Sequence, residues 1–172
     1  MLYRQVLGES FEALHPNLKR FHETDTVMLG KGSFTITRRG GTLLAALLRL
    51  PPAGERIPVY MEVQPLSSGE KWIRRFGDVP MTTDQWYQEG LLRERAGPMV
   101  FGLETTVTGN GGMEFSTRRA WVMGIPMPLF LSPKVSAVTS PTEAGWQVQV
   151  GLTLPLFGWL LRYEGEVIPQ WT

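Results

Sequence analysis

Two arginines stand where the surrounding pattern calls for apolar side chains. Arg74 lies between Trp72 and Phe76 at alternate positions, and Arg119 shares a parity with Met113, Phe115, Trp121 and Met123. Alternation of period two marks a strand with one buried face, so both guanidiniums are expected to point where their apolar neighbours point. Arginine stays protonated in proteins and is costly to bury alone. If those faces turn inward, each guanidinium needs an anion. A ligand carboxylate or phosphate would serve, as would an internal acid such as Glu94, Glu104 or Glu62. The functional expectation is an internal clamp of Arg74 and Arg119 on an amphipathic anionic ligand, lined by Trp72, Trp121, Phe115 and Tyr163. The bland expectation is a structural ion pair, or an arginine stacked on tryptophan at an outer face.

Other reactive types offer less. His15 and His22 are the only histidines, and Pro16 breaks any helix between them. His-x-x-x-His does not occur and Pro16 follows the single Glu-x-x-His at Glu12–His15, so no metal is expected and both read as surface or capping residues, with His22 the better functional choice. Gly30-Lys31-Gly32-Ser33 has the wrong order for a phosphate loop and precedes a strand rather than a helix. There is no Gly-x-Ser-x-Gly elbow for a serine hydrolase and no cysteine for a thiol nucleophile, thiolate metal site or disulfide. Glu164 and Glu166 share a strand face, but Arg162 shares it too, so a solvated charged face is expected. No catalytic constellation emerges and no cofactor is expected; the chain reads as a binding protein rather than an enzyme.

The elements that must position the arginines are mostly strands. Val27 to Arg38 is the first. Alternation recurs at Ile57–Val63, Trp72–Phe76, Met81–Gln88, Leu91–Ala96, Met99–Val107 and Met113–Met123, then at Val135–Thr139. From Trp146 the apolar residues Trp146, Val148, Val150, Leu152, Leu154 and Leu156 alternate with Gln147, Gln149, Gly151, Thr153 and Pro155. A return strand follows, with Trp159, Leu161, Tyr163 and Val167 on one parity, and the two read as a long hairpin. Asn110-Gly111 marks another hairpin, because both residues tolerate positive φ. The proline-rich run Gly124 to Pro133 cannot be a central strand, since proline lacks the ladder donor. Tyr3 to Phe21 has helical apolar spacing broken at Pro16, and is expected to cover an open end or edge of the sheet. A second helix is expected at Leu43–Leu50, capped by Thr42 and stopped by Pro51-Pro52.

Together these give a mainly β fold in a single domain over residues 1–172. It is an antiparallel meander of about ten strands, rolled into a barrel or strongly curved sheet, with an N-terminal helix and one helix after the first strand. Seventeen basic against 16 acidic residues argue against a nucleic-acid face. No apolar run approaches the roughly 20 residues of a membrane helix. The absence of cysteine and of a signal-peptide core leads to the expectation of a cytoplasmic protein.

Several stretches also carry a family likeness: Trp72-Ile73-Arg74-Arg75-Phe76, Gly97-Pro98-Met99-Val100-Phe101-Gly102-Leu103, Arg119-Ala120-Trp121 with Gly124-Ile125-Pro126-Met127-Pro128, and Leu154-Pro155-Leu156-Phe157-Gly158 with Arg162-Tyr163-Glu164-Gly165. Over most of its length the chain resembles a bacterial family catalogued as a domain of unknown function, whose members occur alone or fused after a saccharopine-dehydrogenase-like oxidoreductase. That resemblance implies an oxidoreductase partner as the alternative function, with the chain acting as a docking module. In topology alone the chain also resembles ten-stranded intracellular lipid-binding barrels. This second likeness implies a lipid-like ligand held by internal arginines.

Overall fold

Alternating segments become strands, and the last of them closes on the first. In the computed structural model, which describes residues 1–23, 25–39, 50–128, 130–155 and 157–171, the strands are β1 (Met28–Arg38), β2 (Gly54–Leu66), β3 (Gly69–Phe76), β4 (Val79–Gln88), β5 (Leu91–Ala96), β6 (Met99–Val107), β7 (Met113–Val122), a two-residue β8 (Ile125–Pro126), β9 (Lys134–Pro141), β10 (Trp146–Leu154) and β11 (Gly158–Gln170). All pairings are antiparallel. The order runs β6-β5-β4-β3-β2-β1-β11-β10-β9-β7, and β7 then pairs with β6. The ten-strand meander is therefore a closed barrel, and closure removes the unpaired edges an open sheet would expose. β8 is a flap on β7, as its proline requires.

One mouth of the barrel is sealed by the N-terminus. The chain forms α1 (Leu2–Leu7), a 3-10 turn (Gly8–Ala13) and α2 (Pro16–His22). Pro16 does not merely interrupt a helix; it opens the second one at a position where its missing N–H costs nothing. His15 caps that helix, its Nδ1 accepting from the Asn17 N–H at 3.3 Å. Leu2, Tyr3, Leu7, Phe11, Leu14, Leu18 and Phe21 are all buried. Each is worth roughly 1.5–3 kcal/mol of apolar burial, which is what holds short helices on the barrel. The expected cover over an open end is thus present, and this mouth is the helical end. The turns at 77–78, 97–98 and 123–124, and residues 155 and 157 between β10 and β11, mark the opposite, far end. The helix expected at Leu43–Leu50 falls on residues 40–49, outside the described residues.

The turns follow local chemistry with one departure. Glu89-Gly90 and Met123-Gly124 are two-residue loops with positive φ at both positions, 53° and 76° in the first, 51° and 81° in the second. Asn110-Gly111 lies within a longer loop, and only Gly111 has positive φ. Asn110 Oδ1 instead accepts from the Gly112 N–H and the Thr108 hydroxyl.

Two β-bulges decide what the barrel encloses. Between β6 and β7 the register runs Gly102↔Arg119 and then Leu103↔Thr117, so Arg118 is an extra residue. Between β10 and β11, Leu152 faces Leu161 but Thr153 faces Trp159, so Leu160 is extra. A bulge inserts one residue and exchanges the two faces of the strand beyond it.

Candidate functional site

The interior is built from alternate residues of ten strands, and the bulges correct the expected roll. Met113, Phe115 and Thr117 face inward on β7; past the bulge Ala120 and Val122 do so. Arg119 and Trp121, expected inside by parity, therefore face outward. The Arg119 side chain is 64% exposed, and Trp121 lies beneath the Arg93 guanidinium at 3.9 Å. Trp159 is turned out in the same way, flanked by Arg39 and Arg162 at 4.8 and 5.0 Å from its ring. Arg74, Trp72, Phe115 and Tyr163 do point inward. The expected two-arginine clamp does not form, because its members lie on opposite faces of the wall.

Arg74 is answered by Glu94, one of the three acids the sequence leaves open. Nη1 and Nη2 donate to the same carboxylate oxygen at 3.4 and 3.5 Å, and Nη1 also donates to Thr83 Oγ1 at 3.0 Å. The guanidinium rests 4.8 Å from the Trp72 ring. β4 lies between the two charged strands, so Thr83 sits under the pair. Among the described residues, Glu94 Oε2 has no hydrogen-bond partner. The two side chains remain 15% and 17% exposed, although both point into the barrel.

Toward the helical end the polar floor continues. Tyr3 enters from α1 and donates its hydroxyl to Gln85 Oε1 at 3.1 Å. Burial first, then the nearby Glu70 and Glu94 charges, raises the Tyr3 pKa well above its ordinary value. Burial likewise raises Tyr163. Glu70 accepts from Trp72 Nε1 at 3.1 Å, yet burial outweighs that bond and lifts its pKa to about 7. His22 stacks 3.8 Å from the Tyr3 ring and is pushed down to about 3 by burial, so it is neutral. Thr105 Oγ1 is buried with no partner among the described residues. Sequence reading missed Glu70, Thr83 and Gln85, although each shares a parity with an inward apolar residue: Glu70 with Trp72, and Thr83 and Gln85 with Met81.

The rest of the inward wall is apolar, and part of it is only half covered. Ile57, Met81, Ala96, Val122, Val135, Ala137, Val148, Val150 and Leu154 all lie on inward parities and are only half-buried. Inward residues such as Leu92, Leu103 and Met113 toward the helical end are 0–3% exposed, and Phe76, Ile36, Ala120 and Leu160 toward the far end are 1–4% exposed. The lumen is therefore lined by buried and half-buried apolar side chains, with the Arg74–Glu94 pair still 15% and 17% exposed among them. A separate open depression of about 860 Å³ lies on the outer face of β2, β1, β11 and β10. Its solvated charges of both signs, Lys31, Arg56, Glu164 and Glu166, match the solvated face expected there.

No cluster of three or more metal-ligating side chains occurs among the described residues. Among them, no helix is long and apolar enough to cross a membrane. The family described as Domain of unknown function (DUF4166) matches residues 14–167. No curated protein and no solved structure matches the chain.

Proposed function

Because the chain belongs to the DUF4166 family, a domain of unknown function, no activity comes with its membership, and we propose from the geometry that the barrel binds an amphipathic small molecule in its lumen. The apolar part lies along half-buried inward residues such as Met81, Val135 and Val150, and the polar end reaches Arg74 and Glu94. The observation that carries this reading is the pair itself, two charged side chains that point into an apolar lumen and are still 15% and 17% exposed. An apolar recess with a few convergent polar groups is the usual form of a small-molecule site.

The paired floor selects the head group. Arg74 is already compensated by Glu94, and Arg119 is outside. A carboxylate placed near Arg74 would stand close to Glu94. At about 4 Å the two anions would repel by roughly 1–4 kcal/mol at effective dielectric constants of water to protein surface. A neutral head avoids this, accepting from the guanidinium and donating to the free Glu94 oxygen. A hydroxyl or primary amide does both. The ligand class is therefore a long-chain alcohol, amide or similar neutral amphiphile, in place of the anionic one expected from two internal arginines.

Native mass spectrometry of freshly purified protein tests the reading, followed by thermal-shift titration with long-chain alcohols, amides and fatty acids. The expected result is a 1:1 adduct, or stabilisation by the neutral amphiphiles that Glu94→Gln weakens. No adduct and no shift with any of the three classes would overturn lumen binding. A shift with fatty acids alone would overturn the neutral head group.

A further inference from the structure

The far rim of the barrel exposes large apolar side chains that the fold does not use. Met123 is 81% exposed, Phe157 82%, Phe130 75% and Ile125 69%. They cluster by topology. Met123 occupies the β7–β8 turn, and β8 folds back on β7 with Val122 opposite Ile125. Phe130 and Leu131 follow, and the chain then enters β9 at Lys134, which pairs with Thr153 just before the turn that carries Phe157. Met123 also holds a left-handed conformation, φ 51°, that suits glycine or asparagine far better than methionine. The two-residue turn requires that φ and the Met123 N–H donates to the Pro98 carbonyl at 2.8 Å, but neither calls for an exposed methionine side chain there.

Charge around this rim is predominantly basic. Arg38, Arg39, Arg56, Arg75, Lys134 and Arg162 lie in the far halves of their strands or just beyond. The outward-facing acids there, among the described residues, are Glu55 and Asp78. Acids gather instead at the helical end, at Glu9, Glu12, Glu23, Asp25 and Glu143. A net charge of +1 thus conceals a molecule that is basic around one mouth.

We propose that the far rim docks on an anionic lipid surface, with Met123, Ile125, Phe130 and Phe157 inserted at the headgroup boundary and the surrounding arginines and Lys134 on the lipid charges. Apolar tips ringed by cations fit a membrane interface, where each contributes to binding. The lumen reading assigns the ligand; the rim stands on separate residues and is tested separately.

Vesicle co-sedimentation supplies the test, with phosphatidylcholine alone and with phosphatidylcholine containing phosphatidylglycerol. The protein is expected to pellet with the anionic vesicles, less so as salt rises, and weakly with the neutral ones. Met123→Ser and Phe157→Ser should each weaken binding about tenfold. Both sites are exposed, so the variants should melt with the parent and keep its thermal shift with a long-chain alcohol. Equal binding of parent and Ser variants to anionic vesicles overturns the proposal. Absence of binding to either vesicle also overturns it, and gives the rim to a protein partner. A rim that works while the alcohol shift is absent would leave docking standing and remove the lumen reading.

Discussion

Arg74 and Glu94 meet inside the barrel at 3.4 Å, from strands separated by β4, with the Thr83 hydroxyl of that strand accepting a bond from the guanidinium. Both arginine nitrogens address one carboxylate oxygen rather than forming a parallel fork. A pair of this kind holds its charges in check without adding much stability, because desolvation offsets most of the attraction.

Removing one member should therefore cost more than removing both. Arg74→Met leaves Glu94 without its counter-ion inside the wall and is expected to destabilise by about 2–4 kcal/mol, somewhat less than for a fully buried pair. Arg74→Met with Glu94→Leu should regain most of that loss. Urea unfolding of the four proteins in the cycle measures the coupling, and strictly additive losses would contradict it.

Arg119 should behave as a surface residue. Its side chain is 64% exposed, and its contact with Glu89 is at 3.8 Å. Arg119→Ala is expected to change stability by no more than about 0.5 kcal/mol and to leave any alcohol-induced thermal shift intact. A loss of that shift would return Arg119 to the ligand site.

Two buried groups make stability depend on pH in opposite directions. His22 is held neutral in the folded protein, with its pKa lowered to about 3. The unfolded chain binds its proton first, so this contribution is present above about pH 6.5 and is lost as pH falls toward 3. Glu70 is raised to about 7, so the folded protein keeps its proton longer. Its contribution is present below about pH 4.5 and is lost as pH rises toward 7. The two windows overlap between about pH 4.5 and 6.5, where the slopes cancel, so melting temperature should show a broad maximum there and fall on either side. Glu70→Gln should flatten the alkaline slope and His22→Phe the acid one; unchanged slopes in both would refute the assignment.

Tyr3 should prove to be a structural plug. It is 2% exposed and donates to Gln85. Tyr3→Phe leaves the buried Gln85 oxygen unpaired and is expected to cost about 1–2 kcal/mol. Tyr3→Ala adds a cavity and should cost about 3–5 kcal/mol. Thermal denaturation checks both, and equal effects of the two substitutions would argue against packing as the role of the ring.

Much of this molecule was legible in its residues alone. Trp146 through Leu154 alternate without interruption and form β10; Leu91–Ala96 and Met99–Val107 form β5 and β6 at the bounds their parity implies. Arg74 between Trp72 and Phe76 correctly announced a polar group inside an apolar wall, and Glu94 was among its possible partners. Period-two alternation has a direct physical cause, since successive side chains leave a pleated backbone on opposite sides. Wherever the ladder is regular, sequence parity therefore reports the face.

Tertiary structure alone decided which tryptophans and arginines share the interior. Arg119, Trp121 and Trp159 sit next to single extra residues, Arg118 and Leu160, that shift the register and exchange the faces. A bulge depends on how two strands curve to close the barrel, and neither strand's own sequence records that requirement. The same holds for the choice of Glu94 over Glu62 and Glu104, for Tyr3 reaching Gln85 across 82 residues of chain, and for the basic far rim. Each depends on where closure brings distant residues together, and closure is a property of the whole ring of strands.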